Sequence, residues 1–262
     1  MAMQSSLTAA GSGELAGRRA VVTGGTRGIG AAIARNLLDA GATVVTSARN
    51  DSGHTPSGAA FVKADLSTPE GVRGFADTAL ETLGGVDIIV NNAGGCRSFQ
   101  SVLDLENDWQ YTMDINFLAA VRLNAALVPA MRESGGAIVH VSSIATIAAY
   151  PTLLHYAAAK SALETYSKGL SAELAPDGIR VVSVCLGNVE TPASGVARAQ
   201  IVEHLGGDQD ELTEQWAAEI PLGRLGEAQD IADAVSFLVS PRASWITGSN
   251  IVIDGGKTAS LC

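Results

Sequence analysis

The chain has 262 residues, a formal net charge of −10 and a hydrophobic content of 47%. Such an excess of acid disfavours non-specific contact with nucleic acid or anionic membrane, and aromatics at 5% are too sparse for base-stacking platforms. No apolar run approaches the ~20 residues of a membrane span. The four histidines (His54, His140, His155, His204) lack metal-ligand spacing, and three cysteines (Cys96, Cys185, Cys262) without a CxxC suit a reducing, cytoplasmic setting.

Residues 1–14 carry neither a basic stretch nor an apolar core and read as a flexible tail. From residue 15 to 262, strand and helix signals alternate without a linker or repeat, which predicts one domain. Arg19 to Thr23 is a short apolar strand, followed by glycines and a helical pattern from Ile29 to Leu38 that Gly41 closes. Further strands are expected at 42–47, 60–64, 86–90, 137–142, 180–186 and 251–254, and helices at 68–83, 108–132, 156–175 and 227–239. These strands are apolar throughout rather than alternating, the mark of a parallel sheet covered on both faces. The fold class is therefore α/β, a single-domain, doubly wound parallel sheet.

Two stretches carry chemistry. The turn Thr23-Gly-Gly-Thr-Arg-Gly-Ile-Gly30 lies between a strand and a helix. Glycines there let a ligand approach the backbone, and the unpaired N–H groups of the helix start favour phosphate. Its spacing, Gly24-x-x-x-Gly28-x-Gly30, differs from the G-x-G-x-x-G of many dinucleotide binders. The second stretch is Tyr156-Ala-Ala-Ala-Lys160. Four residues apart on a helix, the phenol and the ammonium share a face. A cation within about 4–6 Å is expected to lower the tyrosine pKa from ~10 toward the range of acid–base catalysis. Taken alone, such a pair can equally be a surface contact on an Ala-rich helix.

Asn91-Asn-Ala-Gly94 follows the fourth strand, Asn116 lies in the long helix, and Ser142-Ser143 end the fifth strand, thirteen residues before Tyr156. Gly187-Asn-Val-Glu-Thr-Pro192 follows the sixth strand, and Asp254-Gly-Gly256 closes the pattern. In this order, from about Leu15 to Gly256, the motifs closely resemble the short-chain dehydrogenase/reductase family. The resemblance implies a Rossmann-like sheet and an enzyme that interconverts a ketone and a secondary alcohol with a nicotinamide cofactor. It implies a catalytic tetrad of Asn116, Ser143, Tyr156 and Lys160. Tyr156 would exchange a proton with the substrate oxygen, and Ser143 would hold that oxygen. Lys160 would lower the Tyr156 pKa and bind the ribose, and Asn116 would hold a water leading from Lys160 to solvent. Ser142 is expected to point to the other face of its strand.

For the cofactor, the resemblance assigns Gly24, Thr26, Arg27, Gly28, Ile29 and Gly30 to the phosphates. Asp65 and Leu66 fall to adenine, Asn92, Ala93 and Gly94 to the ribose, and Gly187, Val189 and Thr191 to the nicotinamide. Leu186 stands where the family usually has proline. NAD-preferring relatives carry an acid at the end of the second strand, but here Ala48 and Arg49 stand there. With Arg27 in the turn, Arg49 suits the 2′-phosphate of NADP, so NADP is expected over NAD. No metal is expected. A homotetramer is implied, with Ala157–Ala159 suited to close helix packing. His155 reads as a helix-start residue, Cys185 as core, and Cys96 as lying near the pocket rim. The segment 188–220 would form the substrate lid, and it carries seven acids against a single Arg198. They are either a solvated face or a rim repelling polyanionic carriers, and the latter favours a small carrier-free substrate over a 3-oxoacyl thioester. A dinucleotide-binding scaffold without turnover is the alternative of another class.

Overall fold

The computed structural model describes residues 13–51, 53–97, 103, 108–148 and 150–259, the side chains of His204 and Leu205 excepted. Nearly all of the expected tail and Cys262 lie outside the described residues. The apolar runs form seven parallel strands: β1 (Arg19–Thr23), β2 (Thr43–Ala48), β3 (Ala60–Lys63), β4 (Ile88–Asn91), β5 (Gly136–Ser143), β6 (Ile179–Leu186) and β9 (Asn250–Ile253). They are ordered β3-β2-β1-β4-β5-β6-β9 and are in parallel register throughout. The direction of winding reverses between β1 and β4, so their carboxyl ends flank a crevice of the kind where open α/β sheets bind ligands. This is the doubly wound α/β architecture that the apolar runs predict.

Each face of the sheet is sealed by its own core. On one side, α1 (Gly28–Asp39) and α8 (Ala228–Val239) bury Ile33, Leu37, Ile231 and Val235 against Val22, Val90 and Val184. On the other, α2 (Pro69–Leu83) and α4 (Ala119–Met131) bury Phe75, Leu123 and Leu127 against Val21, Ile89 and Ile138. A buried polar link ties three elements together. The amide of Asn91 donates to Asn124 Oδ1 at 3.0 Å, and Asn124 meets His140 Nε2 at 2.9 Å. Burial drives the His140 pKa down to about 3, so the ring is neutral there.

The expected helix 108–132 is not continuous. It runs as α3 (Asp108–Met113), a π-helical turn (Asp114–Leu118) and α4. A π turn inserts one extra residue per turn, a distortion that collects at functional sites. The helix of Tyr156 is α5 (Leu154–Leu174), ended by a 3₁₀ turn containing Pro176 and by left-handed Gly178. Ala159 is wholly buried inside the chain, so of the three alanines expected at a subunit contact only Ala157 and Ala158 keep any exposure. The excursion after β6 contains β7 (Val189–Glu190), α6 (Pro192–Leu205), α7 (Gln209–Ala218) and β8 (Gly226–Glu227). β7 and β8 pair in parallel and close its base. Among the described residues no helix is long and apolar enough to cross a membrane.

The start of β1 is held by Asp87, which accepts from Arg19 Nε at 2.8 Å, from the Arg19 backbone N–H at 2.9 Å and from Ser134 Oγ at 3.3 Å. Burial opposes the Asp87 charge, but the Arg19 hydrogen bonds prevail and hold the carboxyl below its usual range. Asp87→Asn is expected to cost about 2–3 kcal/mol at pH 7, less than for a fully buried pair because Arg19 is partly exposed. A depressed folded pKa means that this stability is present above the unfolded value of ~3.9 and is lost as pH falls through the folded one. Urea denaturation at pH 7 and near pH 3 should therefore show the gap between wild type and variant closing on acidification.

Candidate active site

Beyond Thr23 the chain turns through Gly24 (φ 67°) and Gly28 (φ 54°), left-handed positions where a Cβ is strained. A Cβ on Gly30 would run into Gly24 O and the Asn92 amide, so only glycine lets α1 start this close to the sheet. The turn is stitched to its neighbours. Thr23 Oγ1 accepts from the N–H groups of Asn92 and Ala93, each at 2.9 Å, and Asn92 Nδ2 donates to Thr23 O at 2.9 Å. Gly24 N–H donates to Ser47 O at 2.9 Å, which brings the turn alongside the end of β2. Arg27, the residue before α1, gives the helix no side-chain cap. Thr26 is buried, Ile29 packs on the core and Arg27 is exposed. The uncapped helix start and the glycine cradle suit an anionic group.

At the crevice edge, Ala48 lies opposite Lys63 and Arg49 is exposed. Asp65 accepts from Ser67 Oγ at 2.7 Å, which holds its carboxyl below the usual range with help from Arg49 and Arg97 nearby. Leu66 beside it is buried. Gly28 faces the base of the lid, since a Cβ there would meet Thr191 Cβ at 3.5 Å. Thr191 caps α6 reciprocally with Ser194. Val189 is buried in β7, and Leu186, where proline is usual, pairs with Ile253 as the last residue of β6. Gly187 fits because a Cβ there would collide with Asp254.

Ser143, Tyr156, Lys160 and Asn116 meet beside this cradle. The Ser143 hydroxyl lies close enough to the Tyr156 phenol to act on its pKa, and it accepts from the Ala145 N–H at 3.2 Å. Lys160 is 3% exposed and donates to Val141 O at 2.8 Å, with Nζ 5.7 Å from the centre of the Tyr156 ring. The ammonium does not draw the phenol toward neutrality as the sequence suggests. Burial pushes Tyr156 up to about 12, the nearby Ser143 hydroxyl opposes this, and charge on Cys96 or Cys185 would add to it. Burial also takes Lys160 down to about 8, against the attraction of Glu164. Asn116 is buried on the π turn, and its amide is held by backbone groups. Its Oδ1 accepts from Gly95 N–H at 2.9 Å, and its Nδ2 donates to Gly95 O at 2.9 Å and Thr112 O at 3.0 Å. A Cβ on Gly94 would clash with Asn116 Oδ1 and crowd Lys160 Nζ, so these three residues form one packed contact.

Ser142 takes the other side of its strand, where its hydroxyl donates to Glu164 Oε1. Thr146 Oγ1 lies between Glu164 Oε1, at 3.0 Å, and Ser143 O, at 2.9 Å. Glu164 therefore grips the segment that carries Ser143. No sequence motif announces it, although its place one turn beyond Lys160 is a signal. Also missed was a cluster beside Tyr156. His155 is wholly buried, with Nε2 3.4 Å from Cys96 Sγ and 3.8 Å from Asp108 Oδ2. It is thus a wall residue and not merely a helix start. Cys185 is buried in the core, as expected. Two lid acids are paired, Glu190 with Arg198 at 2.7 Å and Glu219 with Lys257 at 3.0 Å.

A family profile described as enoyl-(acyl carrier protein) reductase, of the short-chain alcohol dehydrogenase type, matches residues 24–258. The 3-oxoacyl-[acyl-carrier-protein] reductase FabG of Vibrio cholerae is 33% identical over 249 residues, covering 92% of this chain and 98% of that protein. The human dehydrogenase/reductase SDR family member 4 is 38% identical over 258 residues, covering 94% and 90%. Among solved structures, L-sorbose reductase of Gluconobacter frateurii, complexed with NADPH and L-sorbose, superposes with a TM-score of 0.84 at 33% identity over 92% of this chain and 97% of that one. The ligand-free aldohexose dehydrogenase of Thermoplasma acidophilum gives 0.85 at 28% identity over 94% and 96%. With matches along almost its whole length and the motifs assembled at one crevice, the chain belongs to the short-chain dehydrogenase/reductase family of oxidoreductases.

Proposed function

We propose that the protein is an NADP-dependent oxidoreductase that interconverts a ketone and a secondary alcohol on a small, carrier-free substrate. The observation that carries this reading is the meeting of Ser143, Tyr156 and Lys160 beside an uncapped, glycine-lined helix start. The cradle fits a dinucleotide, because glycines at 24, 28 and 30 clear the backbone and α1 offers its N–H groups. The residues that would hold the cofactor are Gly24, Thr26, Arg27, Gly28, Ile29 and Gly30 at the phosphates, and Asp65 and Leu66 at adenine. Asn92, Ala93, Gly94, Tyr156 and Lys160 would line the ribose side, and Gly187, Val189 and Thr191 the nicotinamide side. Exposed Arg27 and Arg49, with no acid at Ala48, favour a 2′-phosphate.

The cofactor, when bound, supplies the hydride; the chain supplies orientation and the proton. Ser143 Oγ donates to the substrate oxygen and fixes it against the Tyr156 phenol. A phenol held near 12 is fully protonated at neutral pH, the form that reduction of a ketone requires. As the proton leaves for the substrate oxygen, the Lys160 ammonium stabilises the phenolate left behind. Asn116 pins the Gly95 backbone beside Lys160. The lid supports a substrate without a polyanionic carrier. With Glu190 and Glu219 paired, Glu203, Asp210, Glu211 and Glu214 remain exposed. Reduction of a carrier-bound 3-oxoacyl thioester is the second reading, favoured by the relative from Vibrio cholerae.

Tyr156→Phe is expected to lower kcat for NADPH-dependent ketone reduction by at least about 10²-fold while NADPH binding persists. Retention of a sizeable fraction of wild-type kcat would remove Tyr156 from the acid–base role. Ala48→Asp with Arg49→Ala should move the NADPH/NADH ratio of kcat/KM by about tenfold to a hundredfold toward NADH, since a charge-assisted hydrogen bond is worth roughly 1.5–3 kcal/mol. An unchanged ratio places the 2′-phosphate elsewhere. Free ketones should surpass a 3-oxoacyl group on its carrier protein in kcat/KM, and the gap should narrow as salt rises and screens the lid. A preference for the carrier-bound form that weakens with salt would reverse the sign of the interaction.

A further inference from the structure

Cys96 follows the Asn91–Gly94 segment and is only partly buried, so a small reagent can reach it. Its sulfur lies 3.4 Å from His155 Nε2, within reach of an S–H···N hydrogen bond. With the thiol as donor, Nε2 is the acceptor and the ring proton sits on Nδ1. Asp108 Oδ2 is 3.8 Å from the same nitrogen, and the Trp109 ring meets the imidazole edge-on at 6.0 Å. Asp108 Oδ2 and His155 Nδ1 are both buried without a hydrogen-bond partner among the described residues. A thiol and a carboxylate thus converge on one imidazole nitrogen at the wall of the site, and Cys96 is near enough to Tyr156 for a charge on it to be felt by the phenol.

We propose that Cys96 is a modification site of the substrate pocket, where soft electrophiles, above all α,β-unsaturated carbonyl compounds, add to the thiol with His155 as general base and block access to Tyr156. In the step, the Cys96 proton passes to His155 Nε2 as Sγ attacks the β-carbon. The S–C bond forms, and the C=C π pair moves toward the carbonyl oxygen to give an enolate. The imidazolium then returns the proton to the α-carbon. A neutral thioether and a neutral His155 result, with no oxidant or reductant consumed. Burial disfavours the charged ring, so His155 rests as a neutral base, and Asp108 offsets the cost of the transient imidazolium. Cys185 is the internal control. It is wholly buried, its thiol lies 3.8 Å from Thr146 Oγ1, and burial pushes it up to about 12, which makes it inert.

The blocking half of the proposal rests on the ketone-reductase reading, whereas the reactivity of Cys96 does not. The full chain is treated with N-ethylmaleimide at pH 7, and each cysteine peptide is followed by mass spectrometry beside NADPH-dependent ketone reduction. Cys96 is expected to be labelled at least about tenfold faster than Cys185, with activity falling in step with its labelling. In Cys96→Ser, whatever activity remains should be insensitive to the reagent. His155→Gln should slow Cys96 labelling about tenfold and Asp108→Asn several-fold, with thermal melting to establish that each variant is folded. If His155→Gln does not fold, Asp108→Asn decides. Labelling of Cys96 at the rate of Cys185, or at the wild-type rate in the folded variants, would overturn the general-base arrangement. Full labelling with activity intact would overturn the block. If no ketone reduction is found at all, the labelling rates still report on the thiol, so failure of the functional reading is distinguishable from failure of this one.

Discussion

An ammonium ion with 3% exposure is the constraint around which this site is arranged. Burying a charge costs several kcal/mol unless partners meet it, and Lys160 meets the carbonyl of Val141 and the field of Glu164. Those partners have commitments of their own. Glu164 accepts from Ser142 and Thr146, and Thr146 holds the carbonyl of Ser143. On the other side, Lys160 presses on Gly94, Gly94 on Asn116, and Asn116 on the backbone of Gly95 and Thr112. One lysine thus couples the end of β5, the π turn and the loop after β4. The cost of its burial is offset by interactions that also fix the groups around the phenol.

The parts of this arrangement that could be read from the residues are those with a period. Parallel strands buried on both faces show as unbroken apolar runs, and Tyr156 and Lys160 show as neighbours by helical spacing. Asn116 and Ser143 have no local signature and were placed only by resemblance. The π turn was illegible because one added residue at Asp114–Leu118 leaves a helical pattern looking continuous. β7 and β8 are two residues each, too short for any pattern. The sign of the Tyr156 shift is hidden from the sequence for a different reason. Spacing shows which charge is near, but enclosure of the phenol is a property of the packed chain, and here enclosure wins. The cluster of Cys96, Asp108 and His155 is hidden by distance along the chain, since Cys96 and His155 are 59 positions apart.

The lid shows the same limit for charge. Counting residues gives seven acids and one arginine between 188 and 220, yet Lys257, from beyond β9, reaches Glu219 and Asn188. Asp208 is spent on capping α7, accepting from Asp210 N–H at 2.7 Å. What a partner meets is the unpaired remainder, which depends on the fold and not on the tally.

The order of the strands also has a meaning for synthesis. β1 to β6 leave the ribosome in a sequence that lets the sheet grow outward from β1, each strand finding its neighbour already made or soon to follow. The exception is the last strand. β6 waits through the whole lid and α8 before β9 arrives to pair Ser183 with Asn250 and Leu186 with Ile253. During that wait the nascent chain presents an apolar strand, Val181 to Leu186, with an unpaired edge, the surface most prone to pair with another chain. A chain cut short before β9 is made would therefore have most of its core assembled and a sticky border. For such a product, aggregation is the foreseeable fate.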